Sequence, residues 1–434
     1  MLASVKAEDC ALQTDAAQEH LFLLADARIL QLDTTGKTMR SITINGSMKV
    51  DLPAERRAMF LHVWRRTNEA FYTAGHHGVD WDSYRINYEK FLPHIGNNFE
   101  LAEMISEMLG ELNVSHSGAT GSSTIAAEKE ETASLGICYD ASYNGAGIKI
   151  NEVIANGPLD NDSFALQPGM LITAIDGEPV TRDKDISRYL NHKAGKSTRL
   201  TIADNGRQRS VVVTPVSLAE ETDLLYKRWV KRNQEEVTRL SGGQLGYVHL
   251  YRMNDAAWRN AYSDIMGRYA GCKGIVVDTR FNRGGDLASD LSMFLSGTEV
   301  RINTTDLLKE SIEPGFRWTK PSVVIANEAN YSDGSCFVFD YQYLHMGKLV
   351  GAPVPGSCTF MTGETLQDNN LHWSVPSLGV KSMEGYYLEN HQTEPDIKVM
   401  NEPAETSQGK DRQLETAVKQ LMKDTVTAKR PSTL

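Results

Sequence analysis

From residue 245 onward, short apolar runs alternate with stretches of helical spacing, and this alternation constrains the fold more than any other feature of the chain. Leu245-Gly246-Tyr247-Val248-His249-Leu250, Gly274-Ile275-Val276-Val277-Asp278, Ser322-Val323-Val324-Ile325-Ala326 and Lys348-Leu349-Val350 each read as a strand. Helical patterns fall at 257–270 and 287–295, and a long amphipathic one precedes the first strand at 224–240. Such a sequence folds as an α/β domain. The third strand gives way to Asn330-Tyr331-Ser332-Asp333-Gly334, after which Gly334-Ser335-Cys336-Phe337-Val338-Phe339-Asp340-Tyr341 reads as the first turns of a helix. Two readings of that junction stand side by side. Ser332 can be an exposed nucleophile, with the free amides of the helix start ready for a developing oxyanion. Alternatively, Ser332 or Asp333 simply caps the helix.

Upstream, residues 18–51 hold short strands (Leu21-Phe22-Leu23-Leu24, Ala27-Arg28-Ile29-Leu30-Gln31-Leu32, Ile42-Thr43-Ile44) and a Thr35-Gly36-Lys37 turn, enough for one blade or hairpin module. Such a piece has exposed edges and little core, which suits the tail of a larger β-domain. From Pro53 the spacing becomes helical, with Met59-Phe60, Val63-Trp64 and Phe71-Tyr72 on one pattern, a second helix around Tyr88 and Phe91, and a third at 99–109 ending at Gly110. Residues 119–132 are small and polar and read as a linker. Residues 133–217 alternate short strands and turns around one helix candidate at 184–191, and the polar tail after Asp424 reads as frayed.

Composition narrows the partners. The 434 residues carry 45 basic and 56 acidic side chains, a net charge of -11 without long basic runs, which argues against nucleic acid. No apolar run approaches the roughly 20 residues that span a bilayer, so no membrane partner is expected. The five cysteines (Cys10, Cys138, Cys272, Cys336, Cys358) are scattered without a C-x-x-C pair. They predict packing thiols of a reducing compartment rather than disulfides or a zinc site. The first fifteen residues include Glu8 and Asp9 and lack the apolar core of a signal peptide. No H-E-x-x-H occurs, His76-His77 cannot put both rings on one helical face, and Gly284-Gly285 fits neither nucleotide-loop pattern, so neither metal nor cofactor is expected.

Several segments in order then resemble one family. Gly78-Val79-Asp80-Trp81, Gly110-Glu111-Leu112-Asn113-Val114-Ser115-His116, Asp278-Thr279-Arg280-Phe281-Asn282-Arg283-Gly284-Gly285, Ser332-Asp333-Gly334, and Glu389-Asn390 followed by Glu394-Pro395-Asp396-Ile397 are similar to the proteolytic half of the tricorn proteases. The intervening stretch resembles a PDZ module. Its Ser134-Leu135-Gly136-Ile137 has the form of a carboxylate-binding loop, with Leu135, Gly136 and Ile137 as candidate peptide-binding residues. A module whose groove is covered or empty, serving as a spacer, is the competing reading.

The resemblance implies four parts: a propeller-blade remnant (1–52), a helical subdomain carrying Ser115 and His116 (53–125), a PDZ-like domain (133–217), and a C-terminal domain carrying Ser332 and Glu389 (219–424). It implies a multidomain α/β fold whose last domain is a crotonase-like spiral of ββα units. The implied chemistry is that of a serine peptidase acting on oligopeptides or unfolded proteins. Ser332 attacks the carbonyl, His116 carries the proton, and Ser115 links the histidine to Glu389. The oxyanion hole uses the amide of Asp333 and that of Gly284 or Gly285, and Asp278 braces the glycine loop. The related carboxyl-terminal processing proteases place a lysine where this chain has Ser357, and Lys348 does not obviously replace it, so the histidine mechanism is preferred. The resemblance implies a homo-oligomer for the full-length protein, and a cytoplasmic setting is expected. The alternative is an inactive peptide- or ligand-binding scaffold that uses the PDZ-like groove.

Overall fold

The computed structural model describes residues 5–7, 9–26, 28–33, 38–44, 46–121, 130–305 and 308–427. The chain divides into two compact units, Met1–Ala58 and Met59–Leu434. In the first, strands Cys10–Thr14, Leu21–Ala25, Arg28–Asp33 and Thr38–Ile42 form an antiparallel sheet in sequence order, with Leu21 opposite Leu32 and Leu24 opposite Ile29. The strand Cys10–Thr14 has no counterpart among the strands expected from sequence, and the turn at 35–37 lies outside the described residues. Among the described strand residues only Ala25 is buried.

The helix Leu52–Ala70 runs into the second unit, where Met59, Phe60 and Val63 are buried against helices Trp81–Glu89 and Asn98–Gly110. The second helix starts earlier than its apolar spacing predicts, because the Asp80 side chain accepts the Ser83 N–H and fixes its N-terminus. These helices close over a three-stranded sheet of Thr359–Thr365, Leu371–Gly379 and Gly118–Gly121, to which Leu371, Trp373 and Val375 give an apolar face. Residues 118–121 are therefore a strand rather than linker, with Gly118 opposite Ser374, and residues 122–129 lie outside the described set.

The PDZ-like part is a sheet of Ile137–Tyr139, Ile148–Val153, Leu171–Ile175, Thr198–Asp204 and Arg207–Val213. Its helix candidate shrinks to Ser187–Leu190. Glu152 on this sheet is bonded by both Arg228 and Arg232 of the helix Leu218–Ser241, which fastens the module to the start of the α/β part.

The α/β part is a parallel sheet in the order Leu245–His249, Gly274–Asp278, Ser322–Ala326, Gly347–Gly351, Ile397–Lys398. Alternate residues feed two cores. Val277 and Val324 face the helices Asp255–Ser263, Ala288–Leu295 and Asp333–Tyr343, while Val276, Val323 and Ile325 face Leu218–Ser241 and Arg412–Thr427. Burial on both faces is why these strands are unbroken apolar runs. The pattern at 257–270 gives an α-helix that passes into a π-turn at Asp264–Arg268.

Two sequence expectations are corrected. Cys336 and Cys358 form a disulfide with Cα atoms 5.4 Å apart, while Cys10, Cys138 and Cys272 are free thiols. The pair escapes a spacing rule because helix and loop, not sequence, bring the two residues together. The tail after Asp424 continues the helix Arg412–Thr427 as far as it is described.

Candidate active site

The parallel strands end on one side in loops that hold the candidate residues, the usual position for a site in an open α/β sheet. After Ser322–Ala326 the chain turns sharply at Ser332, whose backbone sits at φ 56, ψ -129 before the helix Asp333–Tyr343. A non-glycine residue held there is strained, and surrounding bonds must keep it in place. The Tyr331 N–H donates to Asn282 O at 2.9 Å, and the Ser332 N–H donates to Ser357 Oγ at 3.0 Å. Ser332 makes no side-chain cap to its helix, and its Oγ lies 2.7 Å from His116 Nε2.

Asp333 does not cap that helix either. Its Oδ2 accepts the N–H groups of Leu287 and Ala288 at 2.6 and 2.9 Å, at the start of the helix Ala288–Leu295. Burial raises its pKa and those two bonds oppose the rise. The carboxylate thus ties the Ser332 turn to the loop after the second strand, and the capping expectation is corrected to a different helix.

That loop brings Gly284 against Ser332. At φ +76, a Cβ on Gly284 would stand 2.4 Å from Ser332 Cβ and 2.9 Å from its Oγ. Its N–H donates to Asn282 Oδ1 at 2.7 Å. Gly285 packs on Met253, where a Cβ would meet the carbonyl oxygen at 1.8 Å. Below the loop, Asp278 and Arg280 are buried and paired, with Arg280 Nη1 reaching Asp411 at 2.7 Å and Tyr247 Oη donating to Asp278 at 2.8 Å.

His116 arrives from the other side, between the helix Asn98–Gly110 and the strand Gly118–Gly121. Its backbone is held at both ends: the N–H donates to Tyr331 Oη at 2.8 Å, and Ser374 Oγ donates to its carbonyl at 2.9 Å. The Tyr331 ring lies 4.7 Å from the imidazole, centroid to centroid. Nδ1 faces Ser115 Oγ at 2.8 Å and Thr359 Oγ1 at 3.1 Å. Partial burial lowers the His116 pKa from its ordinary value, which favours the neutral ring.

Glu389, in a run that also reads as a surface loop, is only 4% exposed. Its two oxygens accept the Ser115 N–H at 2.6 Å and the Ser115 hydroxyl at 3.0 Å. Burial raises the Glu389 pKa, while the bonds from Ser115 and one from Thr359 oppose that rise. The four sequence candidates Ser332, His116, Ser115 and Glu389 are therefore in one continuous chain of contacts. Lys348 is turned away and pairs with Asp396 at 3.1 Å. Leu135 and Ile137 of the PDZ-like loop are buried in that module's core, and the Gly136 N–H donates to Ser134 Oγ at 2.9 Å. Tyr331, Thr359 and Ser357 contact the site without having been expected as members of it; Tyr331, beside the serine in sequence, and Ser357, at the position of the related proteases' lysine, offered a signal, and Thr359 offered none.

A helix-flanked parallel sheet with a serine on a strained strand-to-helix turn and a histidine at its hydroxyl is the constellation of a serine-type hydrolase, and residues 244–399 match the model of peptidase family S41. Residues 52–110 match the tricorn protease C1 domain and 143–217 the tricorn protease PDZ domain. Three separate stretches of the chain thus match tricorn-protease and S41-peptidase models, and along most of its length the chain is similar to the tricorn proteases. It is 29% identical over 383 residues to a tricorn protease homolog of Saccharolobus solfataricus, covering 86% of this chain and 35% of that protein. It is 26% identical over 346 residues to the tricorn protease of Thermoplasma acidophilum, covering 78% and 32%. The crystal structure of the tricorn protease superposes with a TM-score of 0.82 at 21% identity, over 96% of this chain and 41% of that one, and shares the fold. The chain spans less than half the length of the curated relatives it matches. Among the described residues no helix is long and apolar enough to cross a membrane.

Proposed function

We propose that the chain hydrolyses peptide bonds in oligopeptides or unfolded proteins through Ser332, His116, Ser115 and Glu389. Ser332 Oγ bonds to the carbonyl carbon as its proton passes to His116 Nε2. That proton then goes to the leaving amine, and water, deprotonated by the same nitrogen, releases the acyl group. Ser115 accepts from His116 Nδ1–H and donates to Glu389, so the carboxylate stabilises the imidazolium at one remove. The oxyanion is held by the Asp333 amide and one from the Gly284–Gly285 pair, of which the Gly284 amide is already given to Asn282 Oδ1. The observation that carries this reading is the run of contacts from Ser332 Oγ to Glu389, at 2.7, 2.8 and 3.0 Å.

The same reading takes 1–52 as a blade remnant, 53–125 as the helical subdomain, 133–217 as the PDZ-like domain and 219–424 as a crotonase-like spiral. The working form is a homo-oligomer. In the PDZ-like loop the engaged Gly136 amide favours the spacer role over carboxylate binding. A cytoplasmic setting is in tension with the Cys336–Cys358 disulfide, since such bonds persist where thiol buffers are oxidising.

The test is fluorophosphonate labelling with the modified residue located by mass spectrometry. Label on Ser332 that disappears in His116→Ala, together with loss of peptide cleavage in Ser332→Ala at unchanged Tm, is the expected result. Cleavage retained by Ser332→Ala removes the nucleophile assignment, and a folded protein that neither labels nor cleaves is a binding scaffold instead.

A further inference from the structure

We propose that Thr359 is a second positioning hydroxyl for His116, parallel to Ser115, an inference that rests on the tetrad reading above. Thr359 opens the hairpin strand Thr359–Thr365 and is 3% exposed. Its Oγ1 lies 3.1 Å from His116 Nδ1 and 3.3 Å from Ser115 Oγ, and its hydroxyl, like that of Ser115, holds the Glu389 pKa down. A hydroxyl has one proton to give and lone pairs to receive. Thr359 gives its proton to the carboxylate and receives the one on Nδ1, which is the arrangement Ser115 makes at 3.0 and 2.8 Å. The Nδ1–H is thus offered to two acceptors, both fed by the same Glu389.

The consequence is a fixed tautomer. With Nδ1 carrying the proton, the lone pair of Nε2 faces Ser332, as a general base requires. Two hydroxyls hold the ring against rotation better than one, and the β-branch of threonine restricts its own rotation, so the acceptor is pre-set. Thr359 also follows Ser357, which binds the Ser332 N–H, and Cys358, which is bonded to the nucleophile's helix. One short segment therefore touches the nucleophile and the base together.

The experiment compares wild type with Thr359→Val, Thr359→Ser, Ser115→Ala and the Thr359→Val/Ser115→Ala double variant. The His116 ring titration is followed by NMR, and kcat and KM for a peptide are measured across pH. Thr359→Val is expected to lower the His116 pKa and move the acid limb of the rate profile down with it, since a hydrogen bond to the imidazolium is lost. It lowers kcat about tenfold at unchanged KM, the worth of one modest hydrogen bond. Thr359→Ser restores both readouts, and the double variant loses more than the product of the two single losses, because each hydroxyl covers for the other. An unchanged His116 titration in Thr359→Val, or a double variant equal to Ser115→Ala, overturns the proposal. The titration needs no turnover, so a shifted His116 in a protein that cleaves nothing sustains the positioning role and sinks the peptidase reading alone.

Discussion

Ser332 at φ 56 is held against its own preference by bonds to its neighbours, and Gly284 packs directly against it without room for a side chain. A Cβ at Gly284 would stand 2.4 Å from Ser332 Cβ, so Gly284→Ala must push the serine away from His116. A displacement of that kind costs on the order of a hundredfold in rate. The expected outcome is labelling of Ser332 slowed by about that factor, with a cooperative unfolding transition retained; labelling at the wild-type rate would mean that the glycine is there only for its backbone. The sequence made Ser332 visible because a serine at a strand-to-helix switch is recognisable locally, although a cap reads equally well there; His116 came into view through the family resemblance, since a lone histidine in a turn has no local signature. Thr359 was not visible, since a lone threonine at the start of a strand has no spacing that separates it from any other. The role of Asp333 was misread for a related reason. A carboxylate beside a helix start looks like that helix's cap, and nothing in the chain says that it caps a different helix 45 residues away.

At the level of elements, the helices Ala288–Leu295 and Asp333–Tyr343 pack side by side and share acidic groups. Burial and the nearby Asp333 raise Asp340 from 3.8 to about 6. Its folded-state pKa lies above the unfolded one, so its contribution is fully present below about pH 4 and is lost as pH rises through 6. Asp340→Asn is therefore expected to flatten this part of the stability profile and to melt higher than wild type above pH 7. The gain is roughly 1–2 kcal/mol after allowing for partial exposure, read from melting curves at pH 5 and pH 8. Equal wild-type and variant profiles across that range would show that Asp340 titrates normally. The central strands were legible because burial on both faces writes them as apolar runs. The hairpin of Thr359–Thr365 and Leu371–Gly379 was not, since its first strand is largely exposed and its residues are mostly polar. The helix Arg412–Thr427 was legible and passed over: Leu414, Ala417, Val418 and Leu421 carry the spacing of a buried helical face.

On the scale of the whole molecule, Arg280 joins three regions through one guanidinium. It bonds Asp278 at the end of a central strand, Asp411 before the last helix, and stands 5.4 Å over the Trp229 ring on the long helix. Removing it leaves Asp278 wholly buried without its counter-charge, so Arg280→Ala is expected to destabilise by about 3–5 kcal/mol. Urea unfolding measures this directly, and a loss below about 1 kcal/mol would show that water replaces the ion pair. Assembly at this scale was the least legible. Nothing local in Glu389-Asn390-His391-Gln392 announces a buried carboxylate, and only the resemblance to a family brought it to Ser115.

The bond between Ser115 and Glu389 has a consequence in time as well as in space. Its partners are 274 residues apart, with the nucleophile in between, so base and serine have both left the ribosome while their carboxylate is still untranslated. If the proposed peptidase reading holds, a nascent chain therefore carries His116 without its carboxylate during the period when its own unfolded segments lie closest at hand.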